Sequence, residues 1–122
     1  MKHKFTLNAE QFLQMHSLRK TIELRLNDEK RRQVKIGDEI EFTNRDIENE
    51  KLTVTVEGLI HAKSFSELYD VLTEFGAYNT NLMRAGFAGD CTKQEFIQTM
   101  REYYTEDTET NHGVVAIEIR AL

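Results

Sequence analysis

The sequence predicts a single α+β domain, a small mixed β-barrel with inserted helices. Three observations lead there. Apolar and polar residues alternate, as in half-buried strands, at several separate places. Between those places lie helical patterns opened by capping residues. The chain contains no proline, and no repeat or low-complexity linker divides it, so residues 1–122 read as one domain.

Lys2 to Leu7 gives a short opening strand. Asn8 caps a first helix with Gln11 as the reciprocal partner of a capping box. Ala9, Phe12, Leu13 and His16 share one face, and the helix ends near Arg19. From Lys20 the chain alternates strictly, with Ile22, Leu24 and Leu26 on a buried side and Thr21, Glu23 and Arg25 on a wet side. Asn27-Asp28 starts a turn, Glu29 to Val34 makes a helical turn, and Gly37-Asp38 sets up a strand burying Ile40 and Phe42. Asn44 to Glu50 is a loop. Leu52, Val54, Val56 and Ile60 mark the longest strand, which Gly58 interrupts as a bulge or barrel bend.

Ser64 and Glu67 form a capping box before Leu68, Val71, Leu72 and Phe75 at helical spacing, with Gly76 as the stop. Ala77 to Asp90 shows no clean period, and Gly86 and Gly89 break it. Thr92 and Glu95 cap a third helix that carries Phe96, Met100 and Tyr103 on one face. An acidic loop follows, and Val115, Ile117 and Ile119 make a closing strand.

Composition bounds the function. With 39% hydrophobic and 30% charged residues the chain is soluble and globular rather than disordered. No apolar run approaches the roughly 18 residues of a membrane span. Met1-Lys2-His3-Lys4-Phe5 is basic but has no secretory apolar stretch. Cys91 is the single cysteine, which rules out an intrachain disulfide. Together these favour the cytoplasm. The net charge of -5 argues against strong non-specific attraction to a polyanion. Yet the segment from Arg19 to Lys35 holds seven basic residues against three acids. Such a patch is either a confined anion site or a solvated basic turn.

Four histidines lie scattered without metal-ligand spacing, so neither a metal nor another cofactor is expected. His16 is expected at the edge of the core, and Cys91 as an inert thiol. The chain carries no glycine-rich phosphate loop and no nucleophile elbow. Lys20, Glu23 and Arg25 are the strongest polar constellation. A carboxylate beside two cations stays ionised and can orient a water or a base amide, while Arg and Lys donors suit phosphate or a nucleobase oxygen. The same spacing also describes a surface ion pair worth less than about 1 kcal/mol, and spacing alone favours that explanation. Tyr103 is expected in the core, which leaves Tyr104 as the better base-stacking residue.

Lys20-x-x-Glu23-x-Arg25 followed by Ile36-Gly37-Asp38-x-Ile40 resembles the signature of the ASCH (activating signal cointegrator homology) domain. Tyr103-Tyr104 and the stretch from Gly113 to Ile119 are similar to that family as well. The resemblance implies a PUA-like β-barrel and a cleft, lined by Lys20, Glu23 and Arg25, that binds RNA or a nucleotide. Lys20 and Arg25 would hold phosphate or a base oxygen, and Glu23 would accept from an exocyclic amine or position a water. Thr21 would share that face, and Arg45 and Tyr104 would extend it. The family motif opens with glycine two residues before the lysine, where this chain has Leu18.

One branch of the family hydrolyses acetylated cytidine, with threonine at the position of Glu23 and the lysine matching Lys20. Glutamate at that position makes such activity the lesser reading, and Thr21 is not the aligned nucleophile. A small hydrolase acting on a modified nucleoside or on RNA through Glu23 and Lys20 therefore stands as the alternative. A protein-interaction module, consistent with the acidic remainder of the chain, is the third.

Overall fold

The computed structural model describes residues 1–74 and 80–121. Its five strands are β1 (Lys2–Leu7), β2 (Ile22–Leu26), β3 (Glu39–Asn44), β4 (Lys51–Ala62) and β5 (Val114–Ala121). They form one sheet in the order β1-β3-β4-β5-β2, with β1 parallel to β3 and every other pair antiparallel. The sheet curls into a half-barrel, the mixed barrel-like architecture the sequence predicts. Around it lie α1 (Ala9–His16), α2 (Glu29–Arg32), α3 (Phe65–Leu72), α4 (Thr80–Arg84), α5 (Lys93–Arg101) and α6 (Glu106–His112). Among the described residues no helix is long and apolar enough to cross a membrane.

β5 organises the interior because both of its faces are buried. Val115, Ile117 and Ile119 join Phe5, Phe12, Ile40, Phe42 and Val54 in the core inside the curl. Val114 and Ala116 join Ile22, Leu24, Phe65, Leu68, Leu82 and Phe96 in a second core under α3 and α5. A strand covered on both sides is a near-continuous apolar run rather than an alternating one, which accounts for Val114-Val115-Ala116-Ile117. Gly58 is the bulge its sequence position suggests: the β4–β5 register shifts between Val56 and Gly58. A Cβ at Gly58 would sit 3.0 Å from Glu118 Oε1, so the sheet closes tightly there.

Several expectations are corrected. The α1 face buries Phe12 and Met15, whereas Leu13 is 63% exposed. His16 is exposed and stacks on Phe12 with ring centroids 6.2 Å apart. Val71 of α3 is also outside the core, 38% exposed, because Phe65, Leu68 and Leu72 form the buried face. Phe75 and the stop at Gly76 fall outside the described residues. Part of the segment without a clean period forms the short helix α4. The acidic loop is in fact α6, capped by Thr105. It folds because Glu109 is buried and accepts hydrogen bonds from the Phe65 N–H and from Arg101, closing the start of α3. Tyr103 lies beyond the end of α5 and is 53% exposed, so it is not a core residue.

The end of α1 sets up the strand that matters most. The Arg19 N–H donates to Gln14 O (3.0 Å) and the Leu18 N–H to Met15 O (3.1 Å), the paired bonds of a Schellman motif. Leu18 occupies the position that glycine usually fills, with φ of 66°. A side chain there is strained, and Leu18 is 62% exposed, so little packing offsets the strain. Leu18→Gly is therefore expected to stabilise the fold by about 1 kcal/mol, or about 4 °C in Tm. Urea and thermal unfolding measure this directly. An unchanged or lower midpoint would mean that the Leu18 side chain contributes more than its backbone strains.

Candidate functional site

The alternation along β2 is real, but its polar side does not face water. In the β2–β5 register Glu23 lies opposite Ile117 and Arg25 opposite Val115, both members of the core inside the curl. Ile22 and Leu24 face the second core instead. A strand at the lip of a half-barrel has one side in each core, so both of its faces turn inward. Glu23 is only 2% exposed and Lys20 only 5%, which corrects the wet face expected from the pattern.

A buried carboxylate persists as an ion only if its charge and lone pairs are matched. Here they are. Lys20 Nζ lies 3.1 Å from Glu23 Oε1. Arg25 Nε donates to Glu23 Oε2 at 2.9 Å, and Arg25 Nη2 lies 2.8 Å from the same oxygen as an ion pair. The two cations are anchored in turn, Lys20 Nζ donating to Gln11 Oε1 (3.1 Å) and Arg25 Nη2 to the Thr6 carbonyl on β1 (2.8 Å). Burial pushes the Glu23 carboxyl up, but the charges of Lys20 and Arg25 outweigh it and hold the group below its ordinary range. Arg25 is likewise opposed by its own burial, yet its pairing with Glu23 raises it above the ordinary value.

This ion triad borders a cleft of about 460 Å³. One wall is α1, through Gln11 and Gln14. The lining continues through the Ala85–Ala88 turn and through Tyr103 and Tyr104 after α5. Of the residues singled out in the sequence, Lys20, Glu23, Arg25, Arg45 and Tyr104 all line this cleft. Thr21 does not, because its hydroxyl accepts from Arg84 Nε at 2.9 Å, away from the triad. Arg45 stands at the rim, 65% exposed, with Asp46 at 3.4 Å.

The two tyrosines show the reverse of the burial the sequence suggests. Tyr104 packs into the second core, stacked on Phe65 with centroids 5.9 Å apart and planes at 19°. Burial raises its hydroxyl above the ordinary value, with Arg25 opposing the shift and Glu23 adding to it. Tyr103 is the exposed ring, and its hydroxyl accepts from Gln11 Nε2 at 3.3 Å across the cleft. Gln11, Gln14, Gly86 and Tyr103 are among the lining residues that sequence reasoning missed. The Gln11 backbone N–H is capped by Asn8, as the motif suggests. Its side chain serves Lys20 and Tyr103 rather than the cap. Gly86 has φ of 93°, and a Cβ there would meet Gln14 Oε1 at 3.2 Å, so only glycine leaves this wall undisturbed.

Among the described residues no group of three or more His, Cys, Asp or Glu side chains is arranged to hold a metal ion. Cys91 is buried, and burial together with Glu95 and Asp90 pushes its thiol up, which disfavours the reactive thiolate.

Removing the Glu23 charge strands two buried cations. Glu23→Gln is expected to destabilise the protein by about 3 kcal/mol at pH 7. Because the folded-state pKa of Glu23 is depressed, its stabilisation is complete above about 4.5 and fades as pH falls through the lower folded value. Urea unfolding of both proteins at pH 7 and pH 3 should therefore show the gap narrowing in acid. A gap independent of pH would mean that the Glu23 charge is not what the triad supplies.

A family model described as the ASCH domain matches residues 6–122. The crystal structure of a hypothetical protein, PH0355, superposes with a TM-score of 0.80 at 34% identity, covering 100% of both chains. The solution NMR structure of protein PF0455 from Pyrococcus furiosus gives 0.70 at 39% identity, over 100% of this chain and 98% of that one. The crystal structure of ASCH from Zymomonas mobilis gives 0.57 at 14% identity, over 98% of this chain and 66% of that one, a likeness of fold alone. Among curated proteins none is significantly similar to this chain.

Proposed function

Because this chain belongs to the ASCH domain family, a PUA-like family known for RNA binding, we propose that it binds RNA or a nucleotide in the cleft over Lys20, Glu23 and Arg25. The observation that carries this reading is the buried ion triad bordering an open, largely polar cleft. Of the three ammonium N–H groups of Lys20, two serve Glu23 and Gln11, which leaves one for a ligand oxygen. Arg25 Nε and Nη2 are engaged by Glu23 and Thr6, and among the described residues Nη1 has no hydrogen-bond partner. Both are oriented by their protein partners, so a base oxygen docking on them meets donors whose rotamer freedom is already lost. Tyr103 offers an aromatic face at the mouth, and the Gln11 and Gln14 amides suit the edge of a base. Arg45 at the rim suits a phosphate.

The hydrolase alternative is less well supported. A general base working near neutral pH needs a carboxyl raised toward 7. Glu23 is held the other way, with both of its oxygens occupied by cations. Thr21, the nearby hydroxyl, bonds Arg84 instead of facing the cleft. Retention of a ligand without turnover is the behaviour these contacts favour.

The test is incubation of the protein with a panel of nucleosides, nucleotides and short RNAs, with mass spectrometry reading both retained ligand and product. Retention without product is expected, weakening as salt rises. Tyr103→Ala should lower the affinity about tenfold, since stacking on one base is worth about 1–3 kcal/mol. Tyr103 is exposed, so the fold should tolerate this change. Product that vanishes in a folded Glu23→Gln variant would make the protein an enzyme. No retained ligand at low salt would remove the binding reading and leave a protein-interaction module.

A further inference from the structure

The cleft accounts for Lys20 and Arg25 but not for the second half of the basic stretch, which the structure gathers on α2. There three cationic groups converge on one aromatic ring. Arg31 Cζ lies 4.7 Å from the Phe5 ring centroid, and Arg25 Cζ and Lys30 Nζ each lie 5.3 Å from it. Attraction to the ring holds each cation individually, but gathering three like charges around one ring leaves them repelling one another. The nearby carboxylates offset this only in part. Glu23 is shared between Arg25 and Lys20, and Asp28 pairs with Arg31 Nη1 at 3.2 Å while also capping α2. No ion pair engages Lys30 among the described residues, and Arg31 Nε is buried without a hydrogen-bond partner. Among the described residues the exposed Lys30 ammonium is therefore left without a carboxylate partner at this corner.

The corner adjoins the cleft. Arg25 belongs to both, reaching Glu23 in the cleft and Phe5 beneath α2. The charges of Arg31 and Asp28 also reach the hydroxyl of Tyr104, a cleft-lining residue. We propose that Lys30 and Arg31, with Arg25 as the hinge to the cleft, form a phosphate subsite, so that the ligand is a phosphate ester of a nucleoside with its base in the cleft. The inference rests on the nucleotide-binding reading of the cleft and adds the place where the phosphate next to the base is held. A phosphate placed there relieves the cation repulsion and meets donors with a charge-assisted preference for its oxygens. A free nucleotide and a single-stranded RNA present the same chemistry.

The experiment compares the affinities of nucleosides, their monophosphates and a short mixed oligoribonucleotide at two salt concentrations. The proteins are the wild type, Lys30→Gln and the double variant Lys30→Gln/Arg31→Gln. Lys30 is exposed, so the single variant should fold even if the double variant proves less stable. In the wild type the phosphate esters should bind about tenfold tighter than the nucleosides. That ratio should shrink in Lys30→Gln, and the salt slope for the oligonucleotide should fall by about 0.7 for the lost contact. A gain already complete with the monophosphate identifies a nucleotide ligand, and a gain that needs the oligonucleotide identifies a strand; either result supports the subsite. Equal affinity for nucleosides and their phosphates, or an unchanged ratio and slope in Lys30→Gln, overturns the subsite while the cleft stands. Failure of the wild type to bind any of the three overturns both.

Discussion

A single buried charge, the carboxylate of Glu23, governs the arrangement of this domain. It sits on the inward face of an edge strand, where desolvation pushes its carboxyl up. It is held as an ion by Lys20 on one oxygen and Arg25 on the other. Neither cation could be removed without leaving Glu23 uncompensated, and each has a further duty. Lys20 reaches Gln11 on α1, and Arg25 reaches the Thr6 carbonyl on β1. The triad thus ties together the first helix and the two outermost strands of the sheet, β1 and β2, which share no backbone ladder. A half-barrel left open between those strands is closed by side chains, and the cleft lies over that closure.

The same arrangement explains why the site is pre-organised. Lys20 follows directly on the Schellman turn, and its own N–H also donates to Gln14 O at 3.0 Å. Its approach to Glu23 is therefore set by the backbone and not by a flexible loop. Arg25 is gripped at Nε and Nη2 and packs over Phe5. The exposed members of the cleft, Tyr103 and Arg45, have one exposed side-chain contact each, to Gln11 and to Asp46. The cleft is rigid at the triad and adaptable at the rim, which suits recognition of a planar group by fixed donors with a stacking surface above it.

Much of the fold was legible in the residues themselves. The limits of β1, the bulge at Gly58 and the caps at Asn8, Ser64 and Thr92 follow from local chemistry, and local chemistry is what a single sequence carries. The burial of Glu23 was not legible, because period-two alternation says which residues share a side and not whether that side meets water. Whether it does depends on the sheet order, in which β2 pairs only with β5. Helix α6 was missed for a related reason: its one anchoring residue, Glu109, looks like any surface acid until Phe65 and Arg101 are brought to it. Tyr103 and Tyr104 could not be told apart by helical spacing because α5 ends before either of them. The cleft wall from Gln11 and Gln14 is likewise a product of tertiary packing, with no motif to announce it.

The position of β5 has a consequence for biosynthesis. β1, β3 and β4 lie together in the sheet and can pair as soon as they leave the ribosome. β2 cannot, since its single partner begins only at Val114. Until then Ile22 and Leu24 have no covering strand, and Glu23 has no interior to be buried in. Pairing across such a sequence separation is slow to form, which makes β2 the last strand to join the sheet. A nascent chain therefore carries Lys20, Glu23 and Arg25 as ordinary solvated charges until Val114–Ala121 has emerged. They become a buried triad only when β5 docks on β2, so a chain stopped short of Val114 would lack the closed cleft.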